Sequence, residues 1–282
     1  MILLAFIAGL LIGSFLNVCI FRLPRDLSVM KPSRSFCPGC ERTIAWYDNI
    51  PLLSYALLGG RCRYCKERIP MRYPFVEFVT GLAFALAVYQ FGVTVEALKY
   101  AVFSAIMIDL VVTDFETRIL PDEFTKGGIV IGLVFAWFVP LEANVAALMF
   151  VFSGMPYLPK VISLLEAVLG VAIGSGIIWF VAWVYQKVRH RDGMGIGDFK
   201  MMALIGAFLG LRPALFTFFL AALLGAVAGP IYALIAKQKL MTRLQRKMTR
   251  AQAASAVIMR YQLPFGSFLG LAALWVAFGM GG

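Results

Sequence analysis

The sequence has little charge. Asp, Glu, Lys and Arg make up 15% of its 282 residues, against about 25% in an ordinary soluble chain. That shortage excludes a soluble globular domain. Histidine occurs once, at His190, and no nucleophile-elbow motif accompanies it, so a Ser-His-Asp hydrolase has no support. Neither a phosphate-cradling P-loop nor a dinucleotide-binding glycine fingerprint is present. Strict apolar/polar alternation is missing as well, which argues against a membrane β-barrel.

What the sequence has in quantity is apolar surface: 61% hydrophobic residues and a mean hydropathy of +0.84. The pattern is that of an all-α integral membrane protein. A span needs about 20 apolar residues, fewer where the bilayer thins. On that basis eight spans are expected, over 2–21, 73–91, 96–113, 127–141, 162–185, 198–211, 213–236 and 263–280. The fourth and sixth are short. The first run has no basic flank before it and no small-residue cleavage site after it, so it reads as a retained span, not a removable signal.

The net charge of +11 would suggest nucleic acid in a soluble chain. Here it reads as topology, with lipid as the partner and no nucleic acid expected. With the N-terminus outside, segments 22–72, 114–126, 186–200 and 237–262 face inward, and they hold 23 of the 26 Lys and Arg residues. This is the positive-inside pattern, and it places both ends of interest below on the cytoplasmic face. The expected division is a first membrane helix at 1–21, a cytoplasmic zinc-binding loop at 22–72 and a membrane domain at 73–282. No internal repeat is evident. Segment 237–262 interleaves basic residues with Leu240, Leu244, Met248 and Val257. It reads equally as an amphipathic helix on anionic lipid or as a solvated connector.

The loop after the first span holds Cys37-Pro-Gly-Cys40 and Cys62-Arg-Tyr-Cys65. Each CxxC turn presents two thiolates at one point, and two such turns complete a tetrahedral zinc site. Two disulfides are the alternative, disfavoured in a reducing cytoplasm. Four thiolates leave no open position for water, so the metal would be structural, supplying stability that so short a loop cannot find in a core. Cys19, within the first span, reads as an inert buried side chain.

Two carboxylates stand where chain meets bilayer, a costly position. Asp114 ends the third run, and Asp198 begins the sixth after Gly193, Gly195 and Gly197. Two carboxylates sharing a proton are the aspartic-protease solution to hydrolysis: one takes a proton from water, the other donates to the scissile carbonyl. Which does which is not decided by sequence. Asp198 would otherwise cap the helix it begins. Asp109 is a rival to Asp114, but five residues of helix turn it about 140° away, so it reads as a buried hydrogen-bonding partner. Asp122 reads as a turn or cap residue. Glu77 reads as a site residue or a partner of Arg72. An ion path through Asp109, Asp114 and Asp198 is a competing reading, although no broken-helix pair or inverted repeat supports a transporter.

Several blocks together resemble the bacterial type IV prepilin peptidases, bifunctional leader peptidase/N-methyltransferases. They are Gly13-Ser14-Phe15-Leu16-Asn17-Val18 with Arg22-Leu23-Pro24; the paired CxxC turns flanking Trp46-Tyr47-Asp48-Asn49-Ile50-Pro51-Leu52-Leu53-Ser54-Tyr55; Arg72-Tyr73-Pro74 with Glu77; Asp114 with Leu120-Pro121-Asp122; Gly195-Ile196-Gly197-Asp198, the GxGD motif of intramembrane aspartic proteases; and Leu263-Pro264-Phe265-Gly266. Ser267 departs from the pattern, standing where the family usually has proline. The resemblance implies catalytic aspartates at Asp114 and Asp198 and zinc on Cys37, Cys40, Cys62 and Cys65. It implies cleavage of prepilin or pseudopilin leaders after a glycine at the inner membrane, then methylation of the new N-terminus from S-adenosyl-L-methionine. A peptidase without methylation is the alternative. Glu77 is the candidate toward the methyl donor, and Gly195 and Gly197 would let the substrate backbone approach.

Overall fold

The computed structural model describes residues 1–31, 34–141, 145–153, 158–189, 195–244 and 264–279. His190, Gly193 and most of segment 237–262 lie outside them. Among the described residues there are ten helices: α1 Ile2–Arg22, α2 Leu53–Leu57, α3 Arg72–Phe91, α4 Val95–Thr117, α5 Asp122–Phe138, α6 Val145–Ser153, α7 Pro159–Arg189, α8 Ile196–Leu209, α9 Leu211–Leu244 and α10 Phe265–Gly279. The only pairing outside helices, among the same residues, is two isolated β-bridges.

Each of the eight expected spans falls on a helix, with shifted ends. Helix α5 starts at Asp122 because Asp122 and Glu123 suit the positive end of a helix. Pro213 does not break α9: it is the third residue, where the missing N–H has no intrahelical partner to lose. Helix α4 begins earlier than expected because Thr94 caps it, accepting from the Ala97 N–H at 3.2 Å. The mixed segment after α5 contains the short helix α6.

Among the described residues, four stretches can cross a membrane by length and composition alone: Ile2–Arg25, Arg72–Phe91, Pro159–Val188 and Leu211–Ala228. Helices α5, α8 and α10 are shorter, at 17, 14 and 15 residues, and α4 is interrupted by charged residues. From Met201 to Leu209 every residue of α8 is buried, so this helix is apolar all round and sits inside the bundle. It packs on α5, α7, α9 and α10, and Phe208 lies 5.1 Å from Phe103 of α4, ring to ring. Helix α4 is also interior, burying Asp109 and Asp114 along with Phe103, Met107 and Leu110. Large apolar side chains point outward instead, among them Phe138, Phe219 and Trp275, all at least 60% exposed. An outer face of this kind needs lipid to cover it.

The helices approach closely where side chains are small. At the α7–α8 crossing, a methyl group on Gly206 would sit 2.2 Å from the carbonyl carbon and oxygen of Gly170, a backbone-to-backbone contact of the small-residue type. Gly206→Val therefore forces the two helices apart. We expect destabilisation of about 1–3 kcal/mol, read as a lower thermal midpoint in detergent with unchanged helical content.

Candidate active site

Asp114 lies in the last turn of α4. That helix stops because Arg118 takes a left-handed backbone (φ 62°), with its N–H bonded to the Asp114 carbonyl at 3.0 Å. The chain then turns through Leu120 and Pro121 into α5. The first turn of α8 docks on this same turn. A methyl group on Gly197 would meet Leu120 Cδ1 at 2.9 Å and Cβ at 3.1 Å, so only glycine permits the contact. Lys200 Nζ reaches Asp122 Oδ1 at 2.5 Å, and Asp122 also pairs with Lys126 at 2.6 Å. Both lysines hold the Asp122 carboxyl below its ordinary value. Asp198, the third residue of α8, is thereby carried to the end of α4.

Helix α10 closes the arrangement. A methyl group on Gly266 would lie 3.1 Å from Asp114 Oδ2 and 3.2 Å from Asp198 Oδ1. One point beside the α10 backbone thus borders both carboxylates. Next to it, the Ser267 N–H donates to Asp114 Oδ2 at 2.7 Å, and the Ser267 hydroxyl lies 2.9 Å from the same oxygen. The first N–H groups of a helix have no internal partner. Asp114 satisfies one of them from another helix and gains the positive end of α10 in return.

The candidates separate as follows. Asp198 is not an N-cap, since Gly195 holds that position. Asp109 is fully buried, and its polar neighbour is the Thr113 hydroxyl, one turn on in α4, as expected of a buried partner that does not join Asp114 and Asp198. Gly197 is taken up by Leu120, whereas Gly195 has an extended backbone (φ −78°, ψ 149°), and a methyl group there would make only ordinary contact, 3.8 Å from the Gly197 nitrogen and 3.9 Å from Asp198 Oδ2. Asp122 is the first residue of α5, after a cap at Pro121. Gly266 and Ser267 carried no site assignment in the sequence. The only signal was position, at the start of an apolar helix whose N–H groups need acceptors.

Glu77 does not pair with Arg72. Arg72 binds Glu116 at 2.6 Å. Glu77 Oε2 instead accepts the Leu52 N–H at 2.9 Å, and Leu52 has a positive φ of 59°, a strained backbone for a branched residue. Glu77 thereby fastens the 46–55 block to α3. Asn17 ties α1 to the start of α3 through the Tyr73 carbonyl at 3.0 Å. Above these contacts is a cavity of about 450 Å³, bordered by Asn17, Tyr55, Arg72, Glu77 and Glu116. Its size is that of a small-molecule site.

The cysteine loop contains a repeat that sequence did not reveal. Phe36 bridges Thr43 and Arg61 bridges Arg68. In each turn the residue after the second cysteine, Glu41 or Lys66, has positive φ. Cys37 and Cys62 each donate a backbone N–H five residues on, at 3.0 and 2.8 Å. The four sulfurs lie within 4.8 Å of one another, and Cys37 Sγ is 3.7 Å from Cys65 Sγ. A zinc ion about 2.3 Å from four thiolates needs sulfurs about 3.8 Å apart, so the set fits one tetrahedral ion. All five cysteines are free. Backbone N–H groups of Cys65 and Tyr64 pull the Cys62 thiol down, while the Cys65 thiol beside it goes up, as expected where thiols crowd together and the first charge disfavours the next. Arg63 braces the loop by donating to both oxygens of Asp48, at 2.8 and 2.5 Å.

Comparison with known proteins covers most of the chain. Residues 7–91 match the bacterial peptidase A24 N-terminal domain, and residues 101–229 match the type IV leader peptidase family. The chain is 34% identical over 252 residues to the prepilin leader peptidase/N-methyltransferase of Neisseria gonorrhoeae, covering 80% of each chain. It is 31% identical over 298 residues to that of Pseudomonas putida, covering 97% of this chain and 88% of that one. For Pseudomonas aeruginosa the identity is 30% over 301 residues, covering 98% and 89%. No solved structure matches.

Replacement of Cys37 and Cys62 by serine leaves one thiolate in each turn. Metal analysis should find about one zinc per chain in the unmodified protein and almost none in the double variant. A folded, zinc-free preparation of the unmodified protein would contradict the assignment of the four sulfurs.

Proposed function

The chain belongs to the type IV leader peptidase family, and from that premise we propose that Asp114 and Asp198 hydrolyse the leader of prepilins or pseudopilins. The protein is a leader peptidase and N-methyltransferase. The observation that carries the site assignment is the single point beside Gly266 that borders both carboxylates at 3.1 and 3.2 Å. Two carboxylates that border one point repel when both are charged, and in this reading the pair shares one proton. The charged member takes a proton from the attacking water. The protonated member donates to the scissile carbonyl as negative charge develops there.

The substrate must expose a peptide bond, so its helix unwinds locally. Gly195, with an extended backbone and no side chain, would let that segment approach beside Asp198, and a glycine before the cut lowers the cost of unwinding. We read the chain as eight spans in the bacterial inner membrane, with 22–72 and the turn after α4 on the cytoplasmic side. Fourteen residues make α8 about 21 Å long, shorter than a hydrocarbon layer of about 30 Å. A helix this short, enclosed by its neighbours, brings Asp198 within the span of the surrounding helices without exposing it to lipid.

Methylation belongs, in this reading, to the cavity beside Glu77. Both aspartates lie in the part that matches the leader peptidase family, whereas the cavity is built mainly from the N-terminal part. Glu77, Glu116 and the rings of Tyr55 and Tyr73 line it and would face the cationic sulfur of a methyl donor, while arginines such as Arg22 and Arg72 in the same lining would pair with that donor's carboxylate. S-adenosyl-L-methionine would supply a methyl group on a positively charged sulfur. Glu77 would accept the proton that the new N-terminal amine must lose, at Oε1, since Oε2 is held by the Leu52 N–H. Glu116 is two residues from Asp114 and borders the cavity through its pair with Arg72, so the cut end has a short path between sites. The cysteine turns form the cavity's roof, and zinc would hold that roof folded.

Incubating the purified protein with a prepilin peptide and S-adenosyl-L-methionine, then weighing the products, tests both parts. Asp114→Asn and Asp198→Asn should each abolish cleavage while the protein stays folded and inserted; normal processing by either variant overturns the pair. Glu77→Gln keeps an acceptor for the Leu52 N–H but loses the base. It should cleave normally and leave the product unmethylated, and full methylation by this variant would remove Glu77 from the reaction.

A further inference from the structure

Ser267 reaches the Asp114 carboxylate with both its backbone N–H and its hydroxyl. Its backbone N–H donates to Asp114 Oδ2 at 2.7 Å. Its hydroxyl oxygen lies 2.9 Å from the same carboxylate oxygen and 3.1 Å from the Val111 carbonyl, one turn earlier on α4. The hydroxyl has one proton and two acceptors within reach, plus lone pairs of its own. The Val111 carbonyl has a second lone pair to offer.

We propose that the Ser267 hydroxyl is a two-position group that keeps Asp114 hydrogen-bonded in both of its protonation states. The inference rests on the aspartate-pair reading. When Asp114 is charged, the hydroxyl donates to Oδ2. When Oδ2 carries a proton, that O–H donates to Ser267 Oγ, and the serine proton turns to Val111. Only rotation about the Cβ–Oγ bond is involved. Serine neither gains nor loses a proton, and the proton that visits Asp114 comes from the hydrolytic water and leaves with the product. The backbone N–H stays on Oδ2 throughout and fixes the carboxylate against α10. A carboxylate that changes charge during each turnover is otherwise well solvated in one state and poorly in the other, in a place that is buried. Alanine at 267 would keep the N–H and lose the rotor. Proline would lose both.

Ser267 is on this account a positioning residue, and the kinetics of prepilin cleavage by the full-length protein test it. Ser267→Ala should lower kcat by about tenfold or more with KM within about twofold of the original. Ser267→Thr, which keeps the hydroxyl, should recover most of the loss. Zinc content and methylation of a pre-cleaved peptide should not change in either. A kcat for Ser267→Ala equal to that of the original protein, a loss confined to KM, or a threonine variant no better than alanine would overturn the proposal. If the alanine variant does not fold, Ser267→Gly replaces it in the comparison with threonine. The result is separable from the aspartate pair itself: an inactive Asp114→Asn beside a fully active Ser267→Ala removes only the role of the serine, whereas an active Asp114→Asn removes the pair.

Discussion

A hydrogen atom at Gly266, where any other residue would place a methyl group, is the constraint on which the site depends. Three helices meet there: α4 bringing Asp114, α8 bringing Asp198, and α10 bringing bare backbone. The space a side chain would fill is bordered by both carboxylates. The N–H groups of the first turn of α10 face the same place, so the positive end of one helix meets the negative charge that another carries. Removing charge from water is costly inside a bundle. Here that cost is offset by donors that a helix start must satisfy in any case.

The placement of α8 follows from the same economy. It is held at its start by Leu120 against Gly197 and by Lys200 on Asp122, both on the turn that ends α4. The segment that terminates the first aspartate's helix is therefore the dock for the second aspartate's helix. From there α8 runs through the middle of the bundle, buried residue after residue, with close backbone contact on α7 at Gly170 and Gly206. A helix so enclosed leaves little freedom for the two carboxylates to part.

The N-terminal part is organised differently. Helices α1 and α3 pack broadly on each other around Leu16, Ile20 and Val76, and the loop between them is fixed by point contacts: Asn17 on the Tyr73 carbonyl, Arg22 on the carbonyls of Ser28 and Val29, and Glu77 on the Leu52 N–H. Two equivalent cysteine turns are drawn to one point. A loop with few buried apolar side chains cannot hold such a shape by hydrophobic burial alone, and the four sulfurs within 4.8 Å of one another are a set that one tetrahedral ion would lock. The Leu52 backbone, strained and anchored by a buried carboxylate, lies at the edge of the cavity, where local strain and a polar anchor coincide.

Much of this was legible along the chain. Apolar runs placed eight segments that all form helices, and the two CxxC pairs marked the sulfur cluster, because those signals are local. Asp114 and Asp198 stood out because a carboxylate beside an apolar run is expensive wherever it occurs. Other features were invisible for physical reasons. An all-apolar helix such as α8 has no periodicity to tell burial in protein from exposure to lipid. Arg72 has two carboxylates near in sequence or space, and only packing chose Glu116 over Glu77. The two CxxC turns are visible in the residues, but the positive φ of Glu41 and Lys66 and the paired bridges that make them equivalent are not. Gly266 and Ser267 have no chemical signature of their own. The sequence determined which residues can carry the chemistry. The fold decided which of them meet, because the distance between Asp114, Asp198 and the first turn of α10 is set by how three helices pack and by nothing that neighbouring residues encode.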